Sequence, residues 1–246
     1  MLTKDGCRTR QARLCQRLSD AGIDAIAIVH PLEIYYFTGV LLPETFPAQP
    51  ALLWIEAGGA SFLAADSDAG EPVVDECVTY VSSLGGTMNS YMRTQLSELV
   101  VERLQTKKTR ASRVGFQREF MVKMLAEHIE KGLGGAPEWV DVDETLHQLQ
   151  EVKDADEIEL MRKAVQIDLA AYDAAQKAIA PGVNELEVLG AAQQAAHLAA
   201  GEKVFHDGDY RCGQLGGFAR DRKIEEGELY IIDAWVTYRG YWSDLC

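Results

Sequence analysis

The sequence has no long apolar run and few positive charges for its length. The longest strongly apolar run near the N-terminus is residues 25–29, far below the ~20 residues that span a bilayer, so we expect no membrane segment. Only 24 lysines and arginines stand against 38 acidic residues, for a formal net charge of −14. Because phosphate backbones and anionic lipids repel such a chain, we expect neither nucleic acid nor a membrane as a partner.

Cysteine is also scarce. The five cysteines are odd in number, and none is spaced as a Cys-x-x-Cys pair. This argues against a disulfide frame and a zinc knuckle and favours reduced thiols in a cytoplasmic protein. The content of hydrophobic residues, 47% of 246, is that of a globular chain long enough for one or two domains.

Strand-like and helix-like segments alternate through the first 142 residues. Apolar runs around Gly58-Gly59 predict a hairpin. Strands are predicted at residues 24–30, 51–56, 61–66, 78–82, 113–116 and 139–142, and helices near residues 12–21, 96–104 and 120–129. This alternation predicts a layered α/β domain over residues 1–142.

The pattern changes between residues 143 and 153, where we place the domain boundary. Two capping pairs, Asp154 with Glu157 and Asn184 with Glu187, predict the starts of two helices. The helices are predicted at residues 155–180 and 185–201. Three later strands are predicted at residues 209–213, 228–236 and 241–244. Residues 206–209 are predicted to form a solvated loop. Residues 143–246 are therefore predicted to form an α+β domain.

An aspartate interrupts the last long apolar strand. Period-two alternation puts Asp233 on one strand face with Ile231 and Trp235. A carboxylate on a buried apolar face is costly unless another group compensates its charge. This makes Asp233 a candidate functional residue.

A second aspartate, Asp244, follows in the next strand. A four-residue loop, 237–240, would place Asp233 directly opposite Asp244, whereas a two-residue loop, Arg239-Gly240, would place the two diagonally. Two nearby carboxylates on a buried face need a shared proton or a cation, and hard divalent ions bind carboxylate oxygens. The spacing therefore indicates a metal site or, as the simpler alternative, two solvated aspartates on a hairpin.

These residues resemble the first two metal ligands of the pita-bread metallopeptidases, the superfamily of methionine aminopeptidase, aminopeptidase P, prolidase and creatinase. Asp233 and Asp244 are eleven positions apart, and the second ends the motif Gly240-Tyr241-x-Ser243-Asp244. The segments that resemble the lead into the first ligand strand, the entry helix and the creatinase-type N-terminal domain are residues 221–229, 153–162 and 31–39.

The resemblance implies a creatinase-type α/β domain followed by the first half of a pita-bread α+β domain. It implies a metal-dependent Xaa-Pro aminopeptidase or prolidase that forms a homodimer in the cytoplasm and acts on peptides with proline at the second position. Two divalent ions, Mn²⁺, Co²⁺ or Zn²⁺, would be its cofactors. The residues proposed on this basis to contact substrate are Arg211, Arg220, His206, Trp235 and Tyr241.

Two departures from the family pattern limit this prediction. The complete family site adds a histidine and two glutamates after the aspartates, but this sequence ends at Cys246, so we expect a truncated, weakly active form. The family substrate histidine, expected seventeen or eighteen residues before Asp233, is missing from residues 214–217, and no catalytic residue is assigned. The alternatives are a non-catalytic protein-binding module and a creatinase-like amidinohydrolase that needs no metal.

Overall fold

A computed structural model describes residues 1–42, 49–84, 87–88 and 91–246. The chain forms two compact units, one of residues 2–153 and one of residues 154–246 with Met1. The division lies at the end of the interval predicted for the boundary. Residues 143–153, which were predicted as the start of the second domain, lie in the first unit, where Asp143–Glu151 form a helix.

The first unit is built on a mixed sheet. Its helices are α1 (Lys4–Asp20), α2 (Pro31–Thr38), α3 (Met92–Thr106), α4 (Lys123–Leu133) and α5 (Asp143–Glu151). Its strands are β1 (Ala25–Ile28), β2 (Leu52–Glu56), β3 (Ser61–Asp66), β4 (Glu76–Tyr80), β5 (Ser83–Leu84), β6 (Thr87–Met88), β7 (Arg113–Phe116) and β8 (Glu138–Asp141). Six strands are ordered β4-β3-β2-β1-β7-β8, and β5 and β6 form a separate ribbon.

Strand β1 is apolar throughout because both faces of the sheet are covered. Ile26 lies in one core with Leu14 of α1, and Ala27 lies in the other with Val100 of α3. β1 runs parallel to β7 and antiparallel to β2. This three-layer arrangement confirms the α/β class predicted for the first domain.

Of two local features in this unit, the β2–β3 hairpin was predicted from the sequence and helix α2 was not. The predicted hairpin is confirmed, since β2 pairs antiparallel with β3 across a turn that contains Gly59 at φ +97°. Helix α2 was not predicted, because residues 34–38 are all buried and so show no amphipathic period. Within the described residues, no helix is both long and apolar enough to cross a membrane.

The second unit packs two helices on a small antiparallel sheet. Its elements are α6 (Ala155–Ala178), α7 (Glu185–Ala200), β9 (Phe205–Cys212), β10 (Tyr230–Tyr238) and β11 (Tyr241–Trp242), with strand order β11-β10-β9. Both predicted capping boxes are present, at Asp154 and Asn184. The α+β class predicted for this region is confirmed.

The sheet of the second unit has two different faces. On the helix face, which packs on α6 and α7, the β10 residues Ile232, Ala234, Val236 and Tyr238 are buried. On the open face the alternate β10 residues are half-exposed. Because cross-strand partners share a face, the register of β9 and β11 assigns each of their side chains to one face or the other.

The solvated loop predicted at residues 206–209 is wrong, since these residues lie within β9. Gly208 lies in the strand and allows the backbone of β10 to approach closely. A Cβ atom at this position would lie 2.4 Å from the carbonyl oxygen of Asp233. Gly208 therefore permits the β9–β10 pairing.

Candidate functional site

The connection between β10 and β11 sets the relation of the two aspartates. Tyr238 pairs with Tyr241, so the loop is the two-residue Arg239-Gly240. Both loop residues have positive φ, +50° and +80°, as a tight hairpin turn of this hand requires. The four-residue loop is therefore wrong, and the two-residue alternative is confirmed.

In this register the aspartates are diagonal neighbours on the open face. The ladder continues to an isolated bridge between Ala234 and Leu245, which puts Asp244 beside Trp235. Diagonal neighbours have Cα atoms roughly 7–8 Å apart, within reach of side chains that point towards each other. Asp233 and Asp244 are thus on one face as expected, but that face is half-exposed in the described structure.

A third aspartate on this face was missed by the sequence analysis. Asp209 of β9 is the direct cross-strand partner of Asp233, and its side chain is half-exposed. The predicted loop at residues 206–209 hid the alternation of Asp207, Asp209 and Arg211 with the buried residues of β9. That period-two alternation was the signal that could have found it.

Asp209, Asp233 and Asp244 form no ion pair with any of the residues that the structure describes. Arg211 lies on the same face, but its guanidinium donates to the carbonyl oxygen of Phe218 at 3.0 Å and to Gln214 at 3.3 Å. The three aspartates of the open face are therefore not ion-paired with Arg211, which is the cation described on that face.

The donor chemistry of Asp233 and Asp244 fits a hard divalent cation, which prefers carboxylate oxygen. Across the described ranges, however, no three His, Cys, Asp or Glu side chains are grouped so that they could hold a metal ion. The carboxylates of Asp233 and Asp244 therefore suit two positions of a ligand set, but the described residues do not complete that set.

On the helix face, His206 is buried. Its Nε2 lies 2.9 Å from the hydroxyl of Tyr210, and its Nδ1 lies 3.7 Å from Oδ1 of Asp168. Burial lowers the pKa of His206 to about 4, so the ring is neutral near pH 7. His206 faces away from Asp233, and its predicted contact with substrate stays a prediction.

Asp168, in the middle of α6, is fully buried. Its Oδ2 accepts a hydrogen bond of 2.8 Å from the hydroxyl of Ser243. Burial raises the pKa of Asp168 to about 6; the Ser243 hydrogen bond opposes this rise, and the charge of Asp244 adds to it. No sequence pattern identified this residue.

A second buried carboxylate, Glu185, begins α7. It accepts hydrogen bonds from Nη2 of Arg220 at 2.6 Å, from Nε of Arg220 at 3.0 Å and from the backbone N–H of Cys212 at 3.1 Å. Burial alone would raise the pKa of Glu185, but these hydrogen bonds lower it to about 2. Arg220 is thus ion-paired with Glu185, and its predicted contact with substrate stays a prediction.

Tyr241 also faces the helices, because it pairs with the buried Tyr238. Its hydroxyl donates to Glu157 of α6 at 3.0 Å, and its predicted contact with substrate stays a prediction. Of the five substrate candidates, Trp235 and Arg211 share the open face with Asp233.

Where the family substrate histidine was expected, the chain makes a tight glycine loop. Gly216 and Gly217 have φ of +71° and +117°, conformations that favour glycine. A Cβ atom at Gly216 would lie 2.4 Å from Oδ2 of Asp209. The loop therefore packs its backbone against the third aspartate and supplies no imidazole.

Comparison with known proteins covers nearly the whole chain. Residues 10–152 match the Creatinase/Prolidase N-terminal domain, and residues 159–246 match Metallopeptidase family M24. The Xaa-Pro dipeptidase of Pyrococcus furiosus is 25% identical over 242 residues, which are 97% of this chain and 63% of that protein. The Xaa-Pro dipeptidase of Pyrococcus horikoshii is 31% identical over 112 residues, 44% of this chain and 32% of that protein.

Solved structures show the same fold. The prolidase from Pyrococcus horikoshii OT3 superposes with a TM-score of 0.74 at 20% identity, over 96% of this chain and 63% of its own. The X-Pro aminopeptidase from Thermotoga maritima MSB8 gives a TM-score of 0.71 at 21% identity, over 95% and 63%. The chain spans less than two thirds of these proteins. It belongs to the creatinase/prolidase family, with a Creatinase/Prolidase N-terminal domain followed by part of a pita-bread domain of Metallopeptidase family M24.

Proposed function

We propose that this chain is part of a metal-dependent hydrolase of the Xaa-Pro dipeptidase type, which cleaves peptides with proline at the second position. The observation that carries the proposal is the placement of Asp233 and Asp244 on the open face, diagonal to each other and without an ion-pair partner among the described residues. The names of the Pyrococcus relatives support the substrate class.

Asp233 and Asp244 would hold the metal, with Mn²⁺, Co²⁺ or Zn²⁺ as candidates. Such an ion, when bound, polarises a carbonyl oxygen and makes water a better nucleophile. Trp235 lies beside Asp244 and offers an apolar wall, while Arg211 places a positive charge at the other end of the open face. These two side chains would orient a peptide along the strand.

Two carboxylates leave most coordination positions of a divalent ion to water. We therefore propose that the residues described here bind metal weakly and hydrolyse peptide slowly on their own.

A second candidate function is protein binding without catalysis. The glycine loop in place of the expected histidine favours it, as does the lack of any three-ligand group among the described residues. The pair of unneutralised aspartates opposes it, since a surface that holds no metal has no physical need for both.

Titration calorimetry with Mn²⁺ distinguishes the two functions. We expect a weak binding heat for the wild type and none for Asp233→Ala. Asp173→Asn, which removes one charge from an exposed position of α6, should bind as the wild type does. No metal heat in any variant would contradict the metal site and favour the binding module. Release of proline from Xaa-Pro dipeptides, with Mn²⁺ present and absent, then tests the substrate class.

A further inference from the structure

Asp168 is a buried carboxylate, and none of the described residues places a charged cation beside it. Its Oδ2 accepts from Ser243, while its Oδ1 has no hydrogen-bond partner among the residues that the structure describes. The nearest ionisable nitrogen is Nδ1 of His206 at 3.7 Å, which is also without a partner. Burial of such a carboxylate carries a large unfavourable free energy.

The partner of Asp168, Ser243, is fixed from three directions. Its backbone N–H donates to the carbonyl oxygen of Val236 at 3.0 Å, and its hydroxyl accepts from the N–H of Val236 at 3.2 Å. The same hydroxyl donates to Asp168 at 2.8 Å. Because two bonds run to β10 and one to α6, Ser243 ties the segment after β11 to both elements.

The next residue in the chain is Asp244. Since side chains alternate along an extended segment, Ser243 points to the helix face and Asp244 to the open face. The direction of the Asp244 carboxylate therefore depends on how firmly Ser243 is held beneath it.

The hydrogen bond from Ser243 requires an acceptor at this position, but it does not require a charge. An amide oxygen would accept the same hydrogen bond from Ser243 without the desolvation of a buried charge. The Asp168 carboxylate has only acceptors to offer, so it forces the Ser243 hydroxyl to donate to α6 and to accept from Val236.

We propose that Asp168 is a positioning residue, which acts through Ser243 to hold Asp244 in the direction that metal binding requires. The proposal rests on the proposed function in one respect, namely that Asp244 is a metal ligand. Its structural part, the fixing of residues 243–245 by α6, holds with or without a metal.

Amide hydrogen exchange of the metal-free protein tests the structural part. The N–H groups of Ser243 and Leu245 are bonded to β10, so they should be protected in the wild type. Asp168→Ala should speed their exchange about tenfold, the loss expected for one buried hydrogen bond. Asp168→Asn, which keeps an acceptor for Ser243, should keep the exchange rate within about twofold of the wild type.

Tyr241→Phe is the matched control. It also removes a hydroxyl-to-carboxylate hydrogen bond between β11 and α6, at Glu157, but it leaves Ser243 in place. Exchange at Ser243 and Leu245 should stay at the wild-type rate in this variant. Wild-type exchange in Asp168→Ala, or equal acceleration in Asp168→Ala and Tyr241→Phe, would overturn the proposal.

The Mn²⁺ dissociation constant tests the link to Asp244. Asp168→Ala and Ser243→Ala should each weaken binding about tenfold, and the double variant should be no weaker than either single one. Additive losses would overturn the proposal, because the two residues would then act separately.

If the wild type binds no Mn²⁺, the proposed function fails, while the exchange rates still decide whether Asp168 fixes Ser243. If Asp168→Ala does not fold, Ser243→Ala supplies the same comparison.

Discussion

Glu185 and Asp168 are both fully buried in the second unit, but their surroundings differ. Glu185 receives hydrogen bonds from the guanidinium of Arg220 and from backbone N–H groups, which lower its pKa to about 2. Among the described residues, Asp168 receives one hydroxyl hydrogen bond and no ion pair with an arginine or lysine, and burial raises its pKa to about 6.

The difference separates two uses of a buried acid. A compensated carboxylate such as Glu185 joins the start of α7 to β9 and to the loop that carries Arg220. An uncompensated one such as Asp168 lowers the stability of the fold near neutral pH. The role that we propose for Asp168 is to hold Asp244 in one direction through Ser243.

The largest predicted effect on the free energy of unfolding comes from removing Arg220, the cation that is paired with Glu185. Arg220→Ala leaves a buried carboxylate without its cation and should lower the free energy of unfolding by about 3 kcal/mol. Arg211→Ala is the matched control: it removes an arginine that donates to a loop carbonyl and should cost about 0.5 kcal/mol or less. Urea denaturation measures both. Equal losses would show that Glu185 does not depend on Arg220.

The next effect is a dependence of the free energy of unfolding on pH. Asp168 and His206 contribute to it with opposite signs. The pKa of Asp168 rises from 3.8 to about 6 on folding, so the folded state holds more protons in this range and its stability falls as pH rises. The pKa of His206 falls from 6.5 to about 4, so its contribution rises with pH over nearly the same range. The two contributions should nearly cancel in the wild type.

Removal of His206 should expose the slope due to Asp168. We expect His206→Gln to lose stability between pH 4 and pH 6, relative to the wild type, by on the order of 2 kcal/mol. Asp168→Asn should show the opposite slope. Unfolding free energies at several pH values measure both, and parallel curves for the two variants would contradict the opposed shifts.

A smaller effect is expected from Asp168→Asn at pH 8. This variant keeps an acceptor for Ser243 and removes an uncompensated charge, so it should raise the free energy of unfolding by about 1 kcal/mol. Glu185→Gln should lower it, because the amide loses the charge that Arg220 requires. Thermal unfolding of both variants provides the comparison. A destabilised Asp168→Asn would mean that the carboxylate contributes to stability after all.

The smallest effect concerns the thiol beside Glu185. Burial, with the hydrogen bond to Glu185, raises the pKa of Cys212 to about 11, so it should resist alkylation at pH 8. The exposed Cys246 should react. Peptide mass spectrometry identifies the modified residue. Rapid labelling of Cys212 in the wild type would contradict a closed Glu185 cluster.

Local chemistry made much of the fold predictable. The capping boxes at Asp154 and Asn184 fixed the helix starts, and period-two alternation put Asp233 and Trp235 on one face. The register remained open because it depends on whether Arg239 and Gly240 adopt positive φ, which the sequence permits without requiring. Pairing between β9 and β10 is non-local, so Asp209 could not be placed opposite Asp233 beforehand.

The burial of Glu185 and Asp168 could not be predicted from the sequence, for a different reason. Glu185 is an acid in the first turn of a helix, where the helix dipole favours it on any surface. Asp168 lies in mid-helix, where acids are commonly solvated. Their burial depends on which side of α6 and α7 meets the sheet, and the alanine-rich sequence of both helices leaves that choice open.

Carbon-13 NMR titration of the side-chain carboxyl groups compares the two acids within one protein. Asp168 should titrate near pH 6 and Glu185 near pH 2, on opposite sides of the ordinary values for these groups. A midpoint for Asp168 below pH 4 would mean that a cation or further hydrogen bonds compensate it. The contrast between the two carboxylates would then be contradicted.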